Sequence, residues 1–350
     1  MTNNKRKTLR LPAEWEKQGA IMISWPHRDT DWAYMLPQVE ECYDAIVRAI
    51  ARHAVVVIIA PDTTTIRSRF TDICPERIIY FDTPTNDTWI RDYGVITVRD
   101  SDSKPILCDF GFNAWGGKFE SSLDNGVTRR MVDAGVLRGS YRDFNNFILE
   151  GGSIESDGSG TILTTSSCLL TTTRNGLNQT EIERKLHETL GADNILWLDR
   201  GDIIGDDTDG HIDTIARLAP CDTILYCGTG WGVEPDEQTH ALQGVAQCLA
   251  TFTTPEGKPY NLVELPLPDA VYDPEDGHRL PATYANFLII NDAVLLPTYG
   301  QPLNDERAAM ALRVAFPDHI IEPVDCRALI RQHGSLHCAT MQIPSDVLSF

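Results

Sequence analysis

The sequence predicts an α/β protein in which similar modules form a ring. Hairpin-forming segments recur along the chain and helical patterns separate them, at intervals of roughly 50 to 75 residues, a period typical of repeat architectures. Polar residues suited to chemistry stand at or just before the first strand of several modules. In a ring, these residues would converge on one central end.

The first predicted module begins with an amphipathic helix. The segment LPQVEECYDAIVRAIARHA places Val39, Cys42, Ile46 and Ile50 on one helical face. The strand-like run AVVVIIA follows directly. We therefore expect a helix followed by a strand in this part of the chain.

Four later segments have the pattern of β-hairpins. Each has two β-rich runs around a turn cluster of Asp, Gly, Asn or Pro, in residues 94–110, 151–165, 211–227 and 284–299. Between them, one helix is predicted to begin at Thr180, with Glu183 completing a capping box, and to end at Gly191. Another is predicted from Asn304 to Pro317.

Composition predicts one cytoplasmic domain over residues 1–350. The hydrophobic content of 42% supports a large core, no Gly-rich linker divides the chain, and no apolar run has signal-peptide or membrane-span length. Nine cysteines without CxxC pairs indicate reduced thiols, several of them buried.

The net charge of −20 argues against nucleic acid and favours cationic small molecules, although solubility alone also explains such a charge. Oligomeric state is not readable from the sequence, and a homo-oligomer stays open.

Two acidic segments are candidates for binding or catalysis. NDTWIRDYG brings Trp89, Arg91 and Asp92 to a strand start, where charges are unexpected unless they pair or bind something, and a salt bridge of Arg91 would explain them equally. FILEGGSI sets Glu150 between an apolar run and two glycines that allow close approach, and a turn glutamate is the simpler explanation.

The segment GDIIGDDTDGHIDTIARL is more informative, because five Asp and one His precede an apolar strand. On a strand, His211 and Asp213 would face the same side, as a general acid or base beside a charged anchor. His and Asp also bind metals, but no HExxH motif or EF-hand loop is present. We expect no metal and no organic cofactor.

Cys338 is the candidate nucleophile, although a lone cysteine is more often a buried small hydrophobe. Its neighbour His337 would point to the opposite face of a strand, so His211 is the candidate partner. Several carboxylates oppose a thiolate, which suits a cationic substrate better than an ordinary thiol protease. Two carboxylates can hold a planar guanidinium while its carbon faces the sulfur.

The sequence as a whole resembles the agmatine deiminases, which group with the bacterial type of peptidylarginine deiminase in the guanidine-modifying superfamily. Six ordered segments carry the resemblance along nearly the whole chain: SWPHRDTDW, NDTWIRDYG, FNAWGGKF, LEGGSIESDG, TDGHID and GSLHCATMQIP. The chain departs from the family in QHGSLHC, where a glycine-rich GGGNIHC is usual, and in Val95 of RDYGV.

The resemblance implies a five-bladed α/β propeller, the pentein fold, with pseudo-fivefold symmetry. It assigns the nucleophile to Cys338, the general acid/base to His211 and the guanidinium-binding carboxylates to Asp92 and Asp213. Glu150 follows as a carboxylate that orients the substrate. Candidate substrate-binding residues are further Trp89, Trp115 and Asp209.

The implied reaction converts agmatine and water to N-carbamoylputrescine and ammonia through an amidino-thioester on the cysteine, in putrescine and polyamine biosynthesis. The chain ends twelve residues after Cys338, so the appended domain of the secreted peptidylarginine deiminase is not expected. Alternatives are deimination of peptidylarginine or free arginine, amidino transfer to an amine, and noncatalytic binding of guanidines or polyamines.

Overall fold

In the computed structural model, which describes residues 9–230 and 235–349, strands and helices alternate along the chain. The strands are β1 (Gln18–Ser24), β2 (Val55–Ala60), β3 (Ile78–Asp82), β4 (Ile96–Arg99), β5 (Pro105–Gly111), β6 (Ser140–Ile148), β7 (Ile154–Ser156), β8 (Thr161–Thr165), β9 (Asn194–Leu198), β10 (Ala216–Ala219), β11 (Thr223–Cys227), β12 (Asn261–Leu265), β13 (Val271–Tyr272), β14 (Arg279–Leu280), β15 (Leu288–Ile290), β16 (Ala293–Thr298), β17 (Ile320–Asp325) and β18 (Thr340–Pro344). The α-helices are α1 (Leu36–His53), α2 (Thr64–Arg67), α3 (Ile90–Tyr93), α4 (Ala114–Gly117), α5 (Ser122–Asn125), α6 (Val127–Asp133), α7 (Ser166–Leu169), α8 (Gln179–Leu190), α9 (Glu237–Ala241), α10 (Val245–Leu249) and α11 (Pro302–Ala315).

Most of these strands form five mixed sheets with one internal pattern. In β4-β5-β6, β7-β8-β9, β10-β11-β12 and β15-β16-β17, the first two strands are antiparallel and the third is parallel to the second. The fifth sheet has the order β18-β1-β2-β3, with β18 antiparallel to β1. The last strand of the chain therefore pairs with the first, and β13 and β14 form a separate two-stranded sheet.

The four predicted hairpins are confirmed as β4–β5, β7–β8, β10–β11 and β15–β16. The β15–β16 turn is typical, because Asn291 adopts a φ of 49° there, and Asn accepts this left-handed conformation more readily than most residues. The predicted N-terminal helix and its following strand are also confirmed, as α1 and β2.

The helix predictions were right in place, but α8 and α11 begin earlier than predicted, and α11 starts at Pro302 instead of Asn304. In α1, Val39, Cys42, Ile46 and Ile50 are buried as expected. The capping box of α8, however, lies two residues earlier than predicted.

In α8, Asn178 Oδ1 accepts from the Glu181 N–H and the Glu181 carboxylate accepts from the Asn178 N–H. Asn is as good an N-cap as Thr, and Asn178 has the extended backbone that the position requires. Gly191 ends the helix at a φ of 75°.

Burial of the inner strands explains their composition. Strands β8 and β11 are buried at every position and consist almost wholly of Thr, Ile, Leu, Tyr and Cys. All nine cysteines are free thiols and six of them are buried, as the sequence predicted for several of them. Across residues 9–230 and 235–349, no helix combines the length and the apolar character needed to cross a bilayer.

Candidate active site

The predicted site residues lie on short turns that lead into the first strands of the sheets. Asp92 is in α3 ahead of β4, and Glu150 precedes the 3-10 turn Gly151–Ser153 ahead of β7. His211 caps the 3-10 turn Ile212–Thr214 ahead of β10, while Cys338 lies in the turn ahead of β18. These four turns meet at one place, as the ring hypothesis predicted.

A cavity of about 250 Å³ opens at this place. Its wall is lined by Asp31, Asp87, Trp89, Asp92, Trp115, Phe119, Asp207, Thr208, Gln332, His333, Gly334 and Cys338. The predicted residues His211, Asp213 and Glu150 are fully buried and reach this wall from its protein side. The cavity thus offers a thiol and several carboxylates to a small ligand.

The Cys338 thiol is held by a residue that the sequence analysis missed. The Asn286 side-chain amide donates to Cys338 Sγ at 3.3 Å, and its oxygen accepts from the Cys338 N–H at 3.2 Å. Cys338 Sγ lies 3.7 Å from Asp213 Oδ2. Burial, with Asp213 and Asp92 nearby, raises the pKa of the Cys338 thiol well above its ordinary value. Without a cation in the cavity, this thiol is protonated at neutral pH.

Asn286 has a sequence signal that could have found it. It stands two residues ahead of β15, the first strand of the predicted fourth hairpin, as Cys338 stands two residues ahead of β18. Comparing the polar residues just ahead of each module's first strand would have brought it out.

His211 lies between two carboxylates. Its Nδ1 is 3.7 Å from Asp92 Oδ1 and its Nε2 is 3.6 Å from Glu150 Oε2, while neither ring nitrogen has a hydrogen-bond partner within the described residues. Burial lowers the pKa of His211, but Asp92, Cys168 and Glu150 outweigh it and the pKa lies well above the ordinary value. The imidazole is therefore a cation that can donate a proton.

Asp92 is held in place from two sides. Its Oδ2 accepts from Trp115 Nε1 at 2.9 Å and its Oδ1 from the Gly152 N–H at 3.0 Å. Burial raises the pKa of Asp92 to about 6, against the opposing charge of His211. Trp115 reaches Asp92 from a strained backbone with a φ of 54°, an unusual conformation for a bulky residue that often marks a functional position.

Gly152 explains why glycine follows Glu150. A Cβ at this position would lie 2.7 Å from His211 Nδ1, 2.9 Å from Asp92 Oδ1 and 3.2 Å from Asp213 Oδ2. The missing side chain therefore allows three charged groups to approach one point. Gly334 does the same for Trp89, whose ring would lie 2.3 Å from an added Cβ.

Glu150 and Asp209 are both paired with arginine. Arg174 Nε donates to both Glu150 oxygens at 2.9 and 2.7 Å, and its Nη1 donates to Asp209 Oδ2 at 2.7 Å. Asp209 also pairs with Lys118. Burial raises the pKa of Glu150, but its contacts with His211 and Arg174 outweigh burial and hold the pKa below its usual value. Asp207 and Thr208 line the cavity next to Asp209, whereas Asp209 itself does not. A role of Asp209 in substrate binding therefore stays a prediction.

The reasoning about His211, Asp213 and His337 from strand geometry was wrong. Asp213 lies in the 3-10 turn that His211 caps, and His337 belongs to a turn as well, so alternation of side chains does not apply. Instead, His337 Nδ1 lies 2.7 Å from Asp213 Oδ2. The pKa of Asp213 is below its ordinary value, because contacts with His337, His211 and Arg217 outweigh the burial that raises it.

Two buried groups of side chains have the residue types of metal sites. They are Glu150 with Cys168 and His211, and Glu14 with Glu155 and His337. Each group already includes an arginine partner, Arg174 in the first and Arg217 in the second. The arginine charges oppose binding of a divalent cation at either place.

Together, the α/β fold and the cavity define a class of proteins that carry a cysteine, a histidine and several carboxylates around one acidic pocket. The chain belongs to the Porphyromonas-type peptidyl-arginine deiminase family, whose sequence model matches residues 10–344. The family suggested by the motifs is confirmed. Among curated relatives, the agmatine deiminase of Pseudomonas aeruginosa (strain UCBPP-PA14) is 33% identical over 364 residues, which cover 96% of each chain.

Comparison with solved structures also finds similarity to an agmatine deiminase over nearly the whole chain. A variant agmatine deiminase from C. jejuni with substrate bound is 39% identical, covers 98% of both chains and has a TM-score of 0.88. A dimethylarginine dimethylaminohydrolase, 15% identical with a TM-score of 0.51, shares the fold over 93% of this chain. The mixed α/β class predicted from the sequence is confirmed.

Proposed function

We propose that this protein is an agmatine deiminase, which hydrolyses the guanidinium of agmatine to a ureido group and releases ammonia. The observation that carries the proposal is the position of Cys338 on an acidic cavity, with His211 and Asp213 directly behind it. The similarity to agmatine deiminases over almost the whole chain supports the same reaction.

The cavity wall favours agmatine over arginine. Besides Asp92 it carries Asp31, Asp87 and Asp207, and it contains no Lys or Arg among the described residues. Agmatine ends in an ammonium alone, whereas arginine carries a carboxylate beside its ammonium, and these aspartates would repel that carboxylate. Burial raises the pKa of Asp87 to about 7, and a bound ammonium would favour its charged form.

The first half of the reaction forms a covalent intermediate. The guanidinium enters between Asp92 and Asp213, and its charge lowers the pKa of the Cys338 thiol, which releases its proton to solvent. The sulfur then forms a bond to the guanidinium carbon. His211 donates its proton to one terminal nitrogen, the C–N bond breaks, and ammonia leaves an amidino-thioester on Cys338.

The second half consumes water. Neutral His211 takes a proton from a water molecule, and the hydroxide adds to the amidino carbon. The C–S bond breaks with the electron pair returning to sulfur, and the ureido product forms after loss of one proton. One water enters and one ammonia leaves, with no cofactor in the proposed cycle.

We also propose that residues 1–350 form one guanidine-modifying domain, a five-bladed propeller with pseudo-fivefold symmetry. Support comes from the repeated order within five sheets and from the pairing of β18 with β1, which would close a ring. The cytoplasmic location and the place in putrescine biosynthesis stay predictions from the sequence, and a homo-oligomer stays open.

The deciding experiment compares agmatine, free arginine and a blocked arginine peptide as substrates, with chelator and without added metal. Ammonia and ureido product are both measured. We expect turnover of agmatine alone. Turnover of the peptide or of arginine would move the function to those substrates, and product formed only with an added amine would indicate amidino transfer.

A second experiment tests the nucleophile. Cys338→Ser should abolish turnover while agmatine still binds, and Cys108→Ser, which changes a buried thiol in β5, is the matched control with normal activity. Full turnover by Cys338→Ser would refute the covalent mechanism. If the unaltered protein binds agmatine but turns over none of the substrates, it is a guanidine-binding protein instead.

A further inference from the structure

The imidazole of His337 bridges two buried carboxylates behind the nucleophile. Its Nδ1 lies 2.7 Å from Asp213 Oδ2 and its Nε2 lies 2.7 Å from Glu14 Oε2. His337 itself is 1% exposed and directly precedes Cys338. A buried histidine that joins two carboxylates on either side affects the charge and position of both.

The direction of the first hydrogen bond follows from Asp213. Its pKa is lowered, so Asp213 is a carboxylate that can only accept, and His337 Nδ1 must therefore donate. The other nitrogen, Nε2, meets Glu14 Oε2 and Arg217 Nη2, which lies 2.9 Å away. The Nδ1–H points to Asp213 whether Nε2 donates to Glu14 or accepts from Arg217.

This bond uses one oxygen of Asp213 and leaves the other free. Asp213 Oδ1 is buried and has no hydrogen-bond partner within the described residues. An unpaired carboxylate oxygen in a buried position is costly, and such groups persist where they serve a function. Oδ1 is the oxygen available to an N–H of a bound guanidinium.

His337 is fixed in turn by residues far away in the sequence. The Glu14 carboxylate accepts from the Ile289 N–H at 2.7 Å and from Arg217 Nη2 at 2.8 Å. Arg217 is fully buried and also donates to Glu155. The imidazole therefore has little freedom to rotate, which makes its bond to Asp213 a fixed feature of the site.

We propose that His337 is a positioning residue for substrate binding: its Nδ1–H holds Asp213 ionised and oriented so that the second oxygen faces the guanidinium. The proposal rests on the proposed function, since it assigns Asp213 to the substrate. Glu14 and Arg217 act through His337 by fixing the ring.

Two substitutions separate this role from a general structural one. His337→Asn places an amide nitrogen where Nδ1 stands and keeps a donor to Asp213, whereas His337→Gln places its amide near Nε2 and removes that donor. Each is made in the Cys338→Ser background, so that agmatine binding is measured without turnover. Thermal unfolding is recorded for both, because a structural role would affect them alike.

We expect His337→Gln to weaken agmatine binding about tenfold or more, since the lost hydrogen bond is to a charged group. His337→Asn should restore most of the affinity. Equal affinities of the two variants, or no weakening in either, would overturn the proposal. Failure of the Cys338→Ser parent to bind agmatine would instead overturn the proposed function.

Should His337→Gln fail to fold, Glu14→Gln takes its place. This variant keeps the shape of Glu14 and removes the negative charge beside His337 Nε2, while Arg217, Asp213 and His337 stay unchanged. Binding about threefold weaker or more is expected, because the ring is less firmly held. Unchanged affinity of Glu14→Gln would show that holding the ring does not act on Asp213, and would overturn the proposal.

Discussion

Asn286→Ala tests the claim that one buried amide positions the nucleophile. The side chain makes four hydrogen bonds: Oδ1 accepts from the His337 and Cys338 N–H groups, and Nδ2 donates to the Asp213 carbonyl and to Cys338 Sγ. Alanine removes all of them at a fully buried position.

The expected loss of stability follows from the groups that remain without a hydrogen-bond partner. The His337 N–H keeps the main-chain carbonyl of Asn286 at 3.1 Å, so only the Cys338 N–H and the Asp213 carbonyl lose these bonds. Each unpaired buried group costs about 1–3 kcal/mol, so two of them give a loss of about 2–6 kcal/mol in the free energy of unfolding. The thiol also loses a donor that lowers its pKa.

The loss of activity should exceed the loss that destabilisation alone would cause, because the turn that carries Cys338 is no longer held by the Asn286 side chain. A displacement of a reacting group by about 1 Å costs on the order of a hundredfold in rate, and we expect a loss of that size in kcat/KM for agmatine. Ammonia release measures activity, urea unfolding measures stability, and alkylation of the thiol across pH measures its pKa.

Asn286→Asp is the matched variant. It keeps an acceptor for the Cys338 N–H but replaces the Nδ2 donor with a carboxylate beside the thiol. We expect destabilisation at least as large, slower alkylation and strongly reduced turnover, because the new carboxylate is buried beside the Asp213 carbonyl without a donor. If Asn286→Ala kept turnover within threefold and unfolded like the unaltered protein, the positioning argument would be wrong.

Three further predictions concern the carboxylates. Agmatine binding should weaken as pH falls through about 6, where Asp92 becomes protonated. The indole hydrogen bond from Trp115 lowers the pKa of Asp92, so Trp115→Phe should raise that pKa and move the loss of binding to higher pH. A pH profile of kcat/KM checks both, and an unmoved limit would contradict them. Gly152→Ala should abolish turnover and destabilise the fold by about 1–3 kcal/mol, measured by urea unfolding, since its Cβ would lie 2.7 Å from a His211 nitrogen. Arg174→Ala should cost about 3–5 kcal/mol, because it leaves Glu150 buried without its cation, whereas Arg174→Lys should cost less; equal unfolding midpoints would exclude this.

The modular fold was largely predictable because its signals are local. Alternating apolar runs around Asp, Gly and Asn turns predicted four hairpins, and helical spacing predicted α1, α8 and α11. The errors were local as well: two good capping residues, Asn178 and Thr180, lie two positions apart, and the backbone conformation that favours Asn178 is not encoded in residue type alone.

The candidate site was predictable in its residue types but not in its pairings. Cys338, His211 and Asp92 each stand a few residues ahead of the first strand of a sheet module, and this position can be read from the sequence. The partner of Glu150, Arg174, is 24 residues away, and Asn286 and Cys338 are 52 residues apart. No spacing rule connects such pairs.

By itself, the sequence determined an α/β chain of repeated modules, membership of a deiminase family and an acidic site suited to a guanidinium. Periodicity and residue chemistry carry that information. Only the tertiary structure decided which oxygen of each carboxylate is free, that His337 faces Asp213, and that Asn286 holds the thiol. These features depend on burial and on contacts between distant segments, since a buried charge takes its pKa and its geometry from the neighbours that folding brings to it.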